Sequence, residues 1–186
     1  MGFHTFDAGK ADRLEDAANR YRWLSREELL YALDPVDGDV IADLGSGTGF
    51  YTDDVAPRAG TVYAVDVQEA MHDAYREKGV PANVECVTSD VADLPFATDA
   101  LDGVFSTMTY HEFASDAAID EVARVLRPGA RAVIADWSAD GSGESGPPTD
   151  ERYAAVDAVD ALERGGFEVV SEATRPETFV VVARLR

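Results

Sequence analysis

Apolar positions along the chain change their period, and the changes mark out elements. Between residues 7 and 33 they recur at helical spacing, in two segments. Ser25 is placed to cap the second, with Glu28 three residues on completing a capping box. Pro35 and the polar DPVDGD stretch close that region. From Asp39 the pattern turns to short apolar runs: VIADL (40–44), TVYAVD (61–66), NVECVT (83–88), LDGVFST (101–107) and RAVIADW (131–137). Each reads as a strand, with helices predicted at about 50–57, 69–78, 116–126 and 151–164. This alternation predicts a parallel sheet with right-handed crossovers.

The last part of the chain breaks the rhythm. Gly165 and Gly166 end a helix, and FEVVSEA (167–173) and TFVVVARL (178–185) follow with only TRPE between them. So short a link holds no crossover helix, so these strands must pair antiparallel. The expected fold is α/β: a seven-stranded, mostly parallel sheet with an antiparallel C-terminal hairpin and helices on both faces. GSGESGPPT (141–149) is too rich in Gly, Ser and Pro for regular structure and predicts a loop over one end of the sheet.

Composition narrows the class. A chain of 186 residues with 46% hydrophobic positions suits one globular domain, 1–186. It has no apolar run of the ~20 residues that cross a bilayer. The polar start, MGFHTFDAGKADRLEDAANR, lacks a secretory leader pattern, so a cytoplasmic protein is expected. Asp and Glu number 36 against 16 Lys and Arg, a net charge of −20 that repels nucleic acid and anionic membranes. The acidic residues are spread evenly, and Lys10 and Lys78 are the only lysines. Such surfaces resemble those of salt-loving (halophilic) microbes, where a Debye length of roughly 3 Å screens self-repulsion. Cys86 lies on a predicted strand as a buried, inert thiol, and His4, His72 and His111 lack ligand spacing, so no metal is expected.

The strongest chemical signal is VIADLGSGTGF (40–50), a strand running into Gly45, Gly47 and Gly49 before a helix. Without Cβ atoms the backbone turns sharply and admits a ligand, and the helix start adds free N–H groups. A nicotinamide-binding loop follows G-x-G-x-x-G, but here Phe50 takes the third glycine's place. A G-x-G-x-G turn preceded by Asp43 suits S-adenosylmethionine (SAM), whose tail carries an ammonium and a carboxylate but no phosphate. The second strand ends at Asp66, where a carboxylate can accept ribose hydroxyls, and Asp90 follows the third. Each aspartate alone also fits a helix N-cap.

The segments ADLGSGTGFYT, VYAVDVQEAM, SDVADLPF and VLRPGARAVIADW resemble the successive motifs of class I SAM-dependent methyltransferases, within them the type 11 group. The resemblance covers residues 40–137 and implies a Rossmann-like fold, with the N-terminal residues 1–38 covering the cofactor site of a core at 39–186. It implies that Asp43, Gly45, Gly47 and Gly49 contact SAM, that Asp66 and Val67 hold the ribose, and that Asp90 and Val91 face the adenine.

Strand four ends in FSTMTYHEF, which puts Thr107 beside the cofactor and Tyr110, His111 and Glu112 near the expected methyl position. His111 is the candidate base, oriented by a carboxylate, or else a hydrogen-bonding residue at a helix start. Asp136 and Trp137 end strand five and are expected to face the cleft, with Trp137 as acceptor wall or core aromatic. Phe6, Tyr21 and Trp23 either close over the methionine end of SAM or pack their helix on the domain. The loop at 141–149 is a lid or a connector. The favoured acceptor is a small organic molecule, not nucleic acid. A nicotinamide-dependent oxidoreductase and a non-catalytic SAM-binding module are the competing readings.

Overall fold

The computed structural model describes residues 6–186, so His4 lies outside the described residues. The chain opens with a 3-10 segment, Ala8–Glu15, irregular at Lys10, and continues in α1 (Ala17–Trp23) and α2 (Arg26–Leu33). Three short segments thus stand where the spacing predicts two. Asp16 and Ser25 each stop the preceding piece by capping the next, accepting from Asn19 N and Glu28 N. Such a cap contributes about 1 kcal/mol.

Strand and helix then alternate: β1 (Val40–Leu44), α3 (Phe50–Val55), β2 (Thr61–Asp66), α4 (Glu69–Lys78), β3 (Val84–Thr88) and β4 (Leu101–Thr107). There follow α5 (Tyr110–Phe113), α6 (Asp116–Val125), β5 (Leu126–Trp137), α7 (Ala155–Arg164), β6 (Phe167–Thr174) and β7 (Thr178–Leu185). The seven strands lie in the order β3-β2-β1-β4-β5-β7-β6. The first five are parallel neighbours, while β7 runs antiparallel to both β5 and β6. This is the expected sheet and hairpin.

Period-2 alternation sends neighbouring residues to opposite faces. Ala42, Val104 and Ile134 join one apolar cluster with Ile119 and Val122 of α6 and Ala158 and Leu162 of α7. Ile41, Phe105 and Val133 join the other, with Leu29 and Leu33 of α2, Tyr51 of α3 and Tyr75 of α4. Both faces are therefore covered, as near-continuous apolar parallel strands require.

Two boundaries moved for visible reasons. α7 starts at Ala155 rather than 151, because Arg152 and Tyr153 run extended and Tyr153 bridges Ser138. β5 begins at Leu126 rather than 131, where Leu126 pairs Leu101 across a bulge. Cys86 is a free thiol, half-buried rather than fully buried, and burial raises its pKa. Among the described residues, no helix is long and apolar enough to cross a membrane, and no group of three or more His, Cys, Asp or Glu could hold a metal ion.

Candidate active site

The strand order reverses between β1 and β4, and the carboxyl ends of the parallel strands gather the candidate residues on that edge. The glycine turn leaves β1 with φ values of 78°, 54° and 77° at Gly45, Gly47 and Gly49. Part of the need for glycine is internal. A Cβ on Gly45 would lie 2.3 Å from Thr109 Cγ2, and one on Gly49 would lie 2.1 Å from the Tyr75 ring. The turn is then tied sideways to the next strand, since Gly47 N–H donates to Asp66 Oδ2 at 2.8 Å.

Two acidic residues flank this turn in different states. Asp66 accepts on its other oxygen from Gln68 N at 2.8 Å and is 8% exposed. Asp43 is 1% exposed; its Oδ2 accepts from Thr52 Oγ1 at 2.7 Å. Its Oδ1 is buried with no partner. Burial pushes the Asp43 carboxyl up to about 7, against the Thr52 hydrogen bond and the charge of Arg20. A buried acid with an empty lone pair suits a cationic ligand group.

The residues expected at the adenine end are divided. Asp90 is exposed and accepts from Ala92 N at 2.8 Å in a local turn, and Val67 is exposed beyond β2. Val91 is 6% exposed and packs into the core with Leu44 and Val65.

A second cluster forms where β4 and β5 end. Thr107 is 4% exposed, and its carbonyl accepts from Thr109 Oγ1 at 3.1 Å. Between them Met108 takes φ 59°, a left-handed conformation costly for a non-glycine residue, which turns the chain into α5. The buried carboxylate of Asp136 then collects three N–H groups. His111 N donates at 2.6 Å, Trp137 N at 2.7 Å, and His111 Nδ1 lies 3.0 Å from both oxygens. An ionised carboxylate only accepts, so the imidazole proton sits on Nδ1 and Nε2 is left with a lone pair.

Nε2 lies 4.0 Å from Glu112 Oε1. Burial opposes charge on His111, yet the hydrogen bond and charge of Asp136, with Glu112 and Glu151, outweigh it and raise the imidazole pKa. Burial likewise raises Glu112 to about 7, against the His111 charge and the Phe6 backbone amide. Two titratable groups, each held above its ordinary value, thus stand side by side. Tyr110 is different: it is 2% exposed and packs on Phe113 and Tyr153 inside the core.

The N-terminal segment lies along this edge. Phe6 O accepts from Gln68 Nε2 at 3.0 Å, and Glu15 accepts from the Thr48 hydroxyl and from Lys78 at 3.1 Å. Tyr21 packs on Phe50 and donates to Asp54, while Trp23 meets Trp137 edge-on at 5.2 Å. The 141–149 loop is pinned from below. Arg152, its side chain wholly buried, pairs with Glu177 at 3.1 Å and donates to Pro147 O at 2.8 Å; Glu177 also accepts from Ser142 and from Gly143 N at 3.2 Å. Gly146 lies so close to Trp137 that a Cβ would be 2.4 Å from its ring. The segment thus lies against Trp137.

Three parts of this cluster were not foreseen from residue pattern: the strained Met108, the Arg152–Glu177 clasp and the half-buried Arg20, whose Nε is buried without a partner. No periodicity announces any of them. The role of Asp136 was half-visible, as an acidic residue at a strand's carboxyl end.

A doubly wound sheet with a glycine turn at the reversal of strand order defines an α/β protein that receives ligands on its carboxyl edge. Residues 42–134 match the family described as "Methyltransferase domain". The chain aligns over 98% of its length with the whole of a solved SAM-dependent methyltransferase from Aquifex aeolicus, at 30% identity and a TM-score of 0.86. It therefore belongs to the methyltransferase domain family. Demethylmenaquinone methyltransferase of Clavibacter sepedonicus is 30% identical over 94% of this chain and 64% of its own length. The biotin biosynthesis bifunctional protein BioHC of Cellvibrio japonicus is 36% identical over 68% of this chain and 25% of its own. The chain thus spans less than two thirds of the length of these curated relatives.

Proposed function

We propose that this protein is a SAM-dependent methyltransferase acting on a small organic acceptor. The observation that carries the reading is the buried, unpartnered Oδ1 of Asp43 beside the glycine turn. It favours a ligand with an ammonium there, as SAM has, over the pyrophosphate of a dinucleotide, which that carboxylate would repel. Phe50 in the third glycine's place argues the same way.

On this reading Asp43, Gly45, Gly47 and Gly49 receive the amino-acid tail, Asp66 with Val67 the ribose, and Asp90 with Val91 the adenine. Each oxygen of Asp66 already accepts one backbone N–H and keeps a second lone pair for a ribose hydroxyl. Thr107 lines the same edge. When bound, SAM supplies a methyl carbon already activated by its sulfonium, so the chain's task is to hold an acceptor in line. His111 Nε2 takes the proton of an acceptor hydroxyl or amine, a contribution of typically 10²–10⁴ in rate. Asp136 holds the imidazole in that tautomer, and Glu112 offers a second proton site beside it. Trp137, with its pinned loop, walls the acceptor. Tyr110 supports that wall from within the core.

The demethylmenaquinone relative supports a small apolar acceptor, and a net charge of −20 argues against nucleic acid and anionic membranes. The same charge, spread evenly with two lysines, supports a cytoplasm rich in salt. Residues 1–38 act as cover for the cofactor within one domain, 1–186. Calorimetric titration with SAM and with NADH in concentrated salt, alongside a tritiated-methyl transfer assay on quinones and phenols, tests this. SAM binding with methyl transfer is expected. NADH binding without SAM binding would move the protein to the oxidoreductases, and SAM binding with no transfer to any acceptor would favour a binding module.

A further inference from the structure

Arg20, on α1, is held in an unusual state for a guanidinium. Its carbonyl accepts from Tyr51 OH at 3.0 Å, and Leu24 O accepts from the same hydroxyl at 2.9 Å, so the helix is fastened above α3. The guanidinium lies on the Tyr51 ring at 4.8 Å and on Phe50 at 5.5 Å. Its Nε is buried with no hydrogen-bond partner. No carboxylate among the described residues lies within ion-pair distance of it, although Asp43 and Glu15 both act on its charge. Most other arginines of this acidic chain are paired or exposed.

A desolvated cation without a partner is costly, and so is a buried carboxylate oxygen without one. Arg20 and Asp43 are opposite charges close enough to feel each other and yet not in contact. A direct salt bridge would satisfy both, and it is not made. We infer that these two unsatisfied groups receive one zwitterion, with the carboxylate of the cofactor's amino-acid tail on Arg20 and its ammonium on Asp43. The inference rests on the methyltransferase reading above and adds Arg20 to it as a cofactor-binding residue. The net-neutral tail suits a pocket where Asp43, Asp66 and Glu15 make any ligand of net negative charge unwelcome. The planar fork of arginine also matches a carboxylate with two parallel hydrogen bonds. Because Arg20 belongs to the segment that lies along the turn, binding of the tail would fasten that segment.

Calorimetry on wild type, R20M and R20K with three ligands tests this: SAM, decarboxylated SAM, and 5′-methylthioadenosine, which lacks the tail. Wild type is expected to bind SAM roughly ten- to a hundredfold more tightly than decarboxylated SAM, the worth of a charge-assisted hydrogen bond. R20M should lose that preference while binding methylthioadenosine as wild type does, which also reports an intact fold. R20M with an undiminished preference overturns the assignment and leaves the methyltransferase reading standing. If R20M no longer binds methylthioadenosine, R20K decides. Its shorter, unforked head should reduce the preference, and an undiminished one overturns the assignment. A wild type that binds none of the three overturns the reading on which the inference rests.

Discussion

Asp136 accepts from His111 twice over, from the backbone N–H at 2.6 Å and from the ring Nδ1 at 3.0 Å. Position and tautomer of the imidazole are thereby set by one buried carboxylate. Replacing Asp136 by Asn keeps the size and removes the charge. The His111 pKa, raised in the native protein, should fall in D136N, as an NMR titration of the ring protons would record. Methyl transfer should drop by about 10²–10⁴ while SAM affinity holds. An unchanged His111 titration would remove Asp136 from its assigned role.

Asp66 carries two loads at once. It accepts from Gly47 N and Gln68 N, each at 2.8 Å, so D66A strands two backbone amides as well as any ribose contact. The variant should bind SAM about 10- to 100-fold more weakly and lose about 1–3 kcal/mol of stability. Denaturant melts and titrations on the same sample separate the two effects. Wild-type affinity in a destabilised D66A would displace the ribose from this residue.

Asp43, raised to about 7 by burial, gives cofactor binding a pH dependence. An ammonium prefers the ionised carboxylate, so SAM affinity should rise roughly tenfold from pH 6 to pH 8 and flatten in D43N. The sign for stability is opposite. A carboxyl whose folded pKa is raised binds more protons folded than unfolded, so its contribution declines as pH climbs from about 4 towards 7. Glu112, also raised to about 7, adds to that decline. Equal SAM affinity at both pH values in the wild type would remove the charge from the binding account.

A net charge of −20 spread over the surface predicts a salt requirement. Screening shortens the reach of repulsion to roughly 3 Å in molar salt, so the melting midpoint should climb steadily from about 0.1 molar to several molar chloride. A flat profile would mean that local pairs such as Arg124–Glu121 and Arg76–Asp73 already neutralise the field.

The frame of this protein was open to reading because strands and glycine turns write a period and a punctuation into the chain. β1, β2, β4 and β7 fall on their expected residues, and Gly165 closes α7 as expected. The site was legible where it depends on strand ends: Asp43, Asp66 and Asp136 all stand on the carboxyl edge. It was not legible where it depends on side chains from distant segments. Arg20 meets the rings of α3 across some thirty positions of sequence, and Arg152 meets Glu177 from the far side of α7. Tyr110 shows the converse, since adjacency to His111 in sequence sends its ring the other way, into the core.

The placement of β7 between β5 and β6 bears on how the molecule is assembled. Among the described residues strand β6 pairs with β7 alone, so as a nascent chain leaves the ribosome β6 and the outer edge of β5 wait for the same segment to slot in. A stop codon just after Glu177 would remove little mass, yet it would unfasten the whole far side of the sheet and leave Glu177, the partner of Arg152, on a loose chain end. Such truncated products should be prey for proteases.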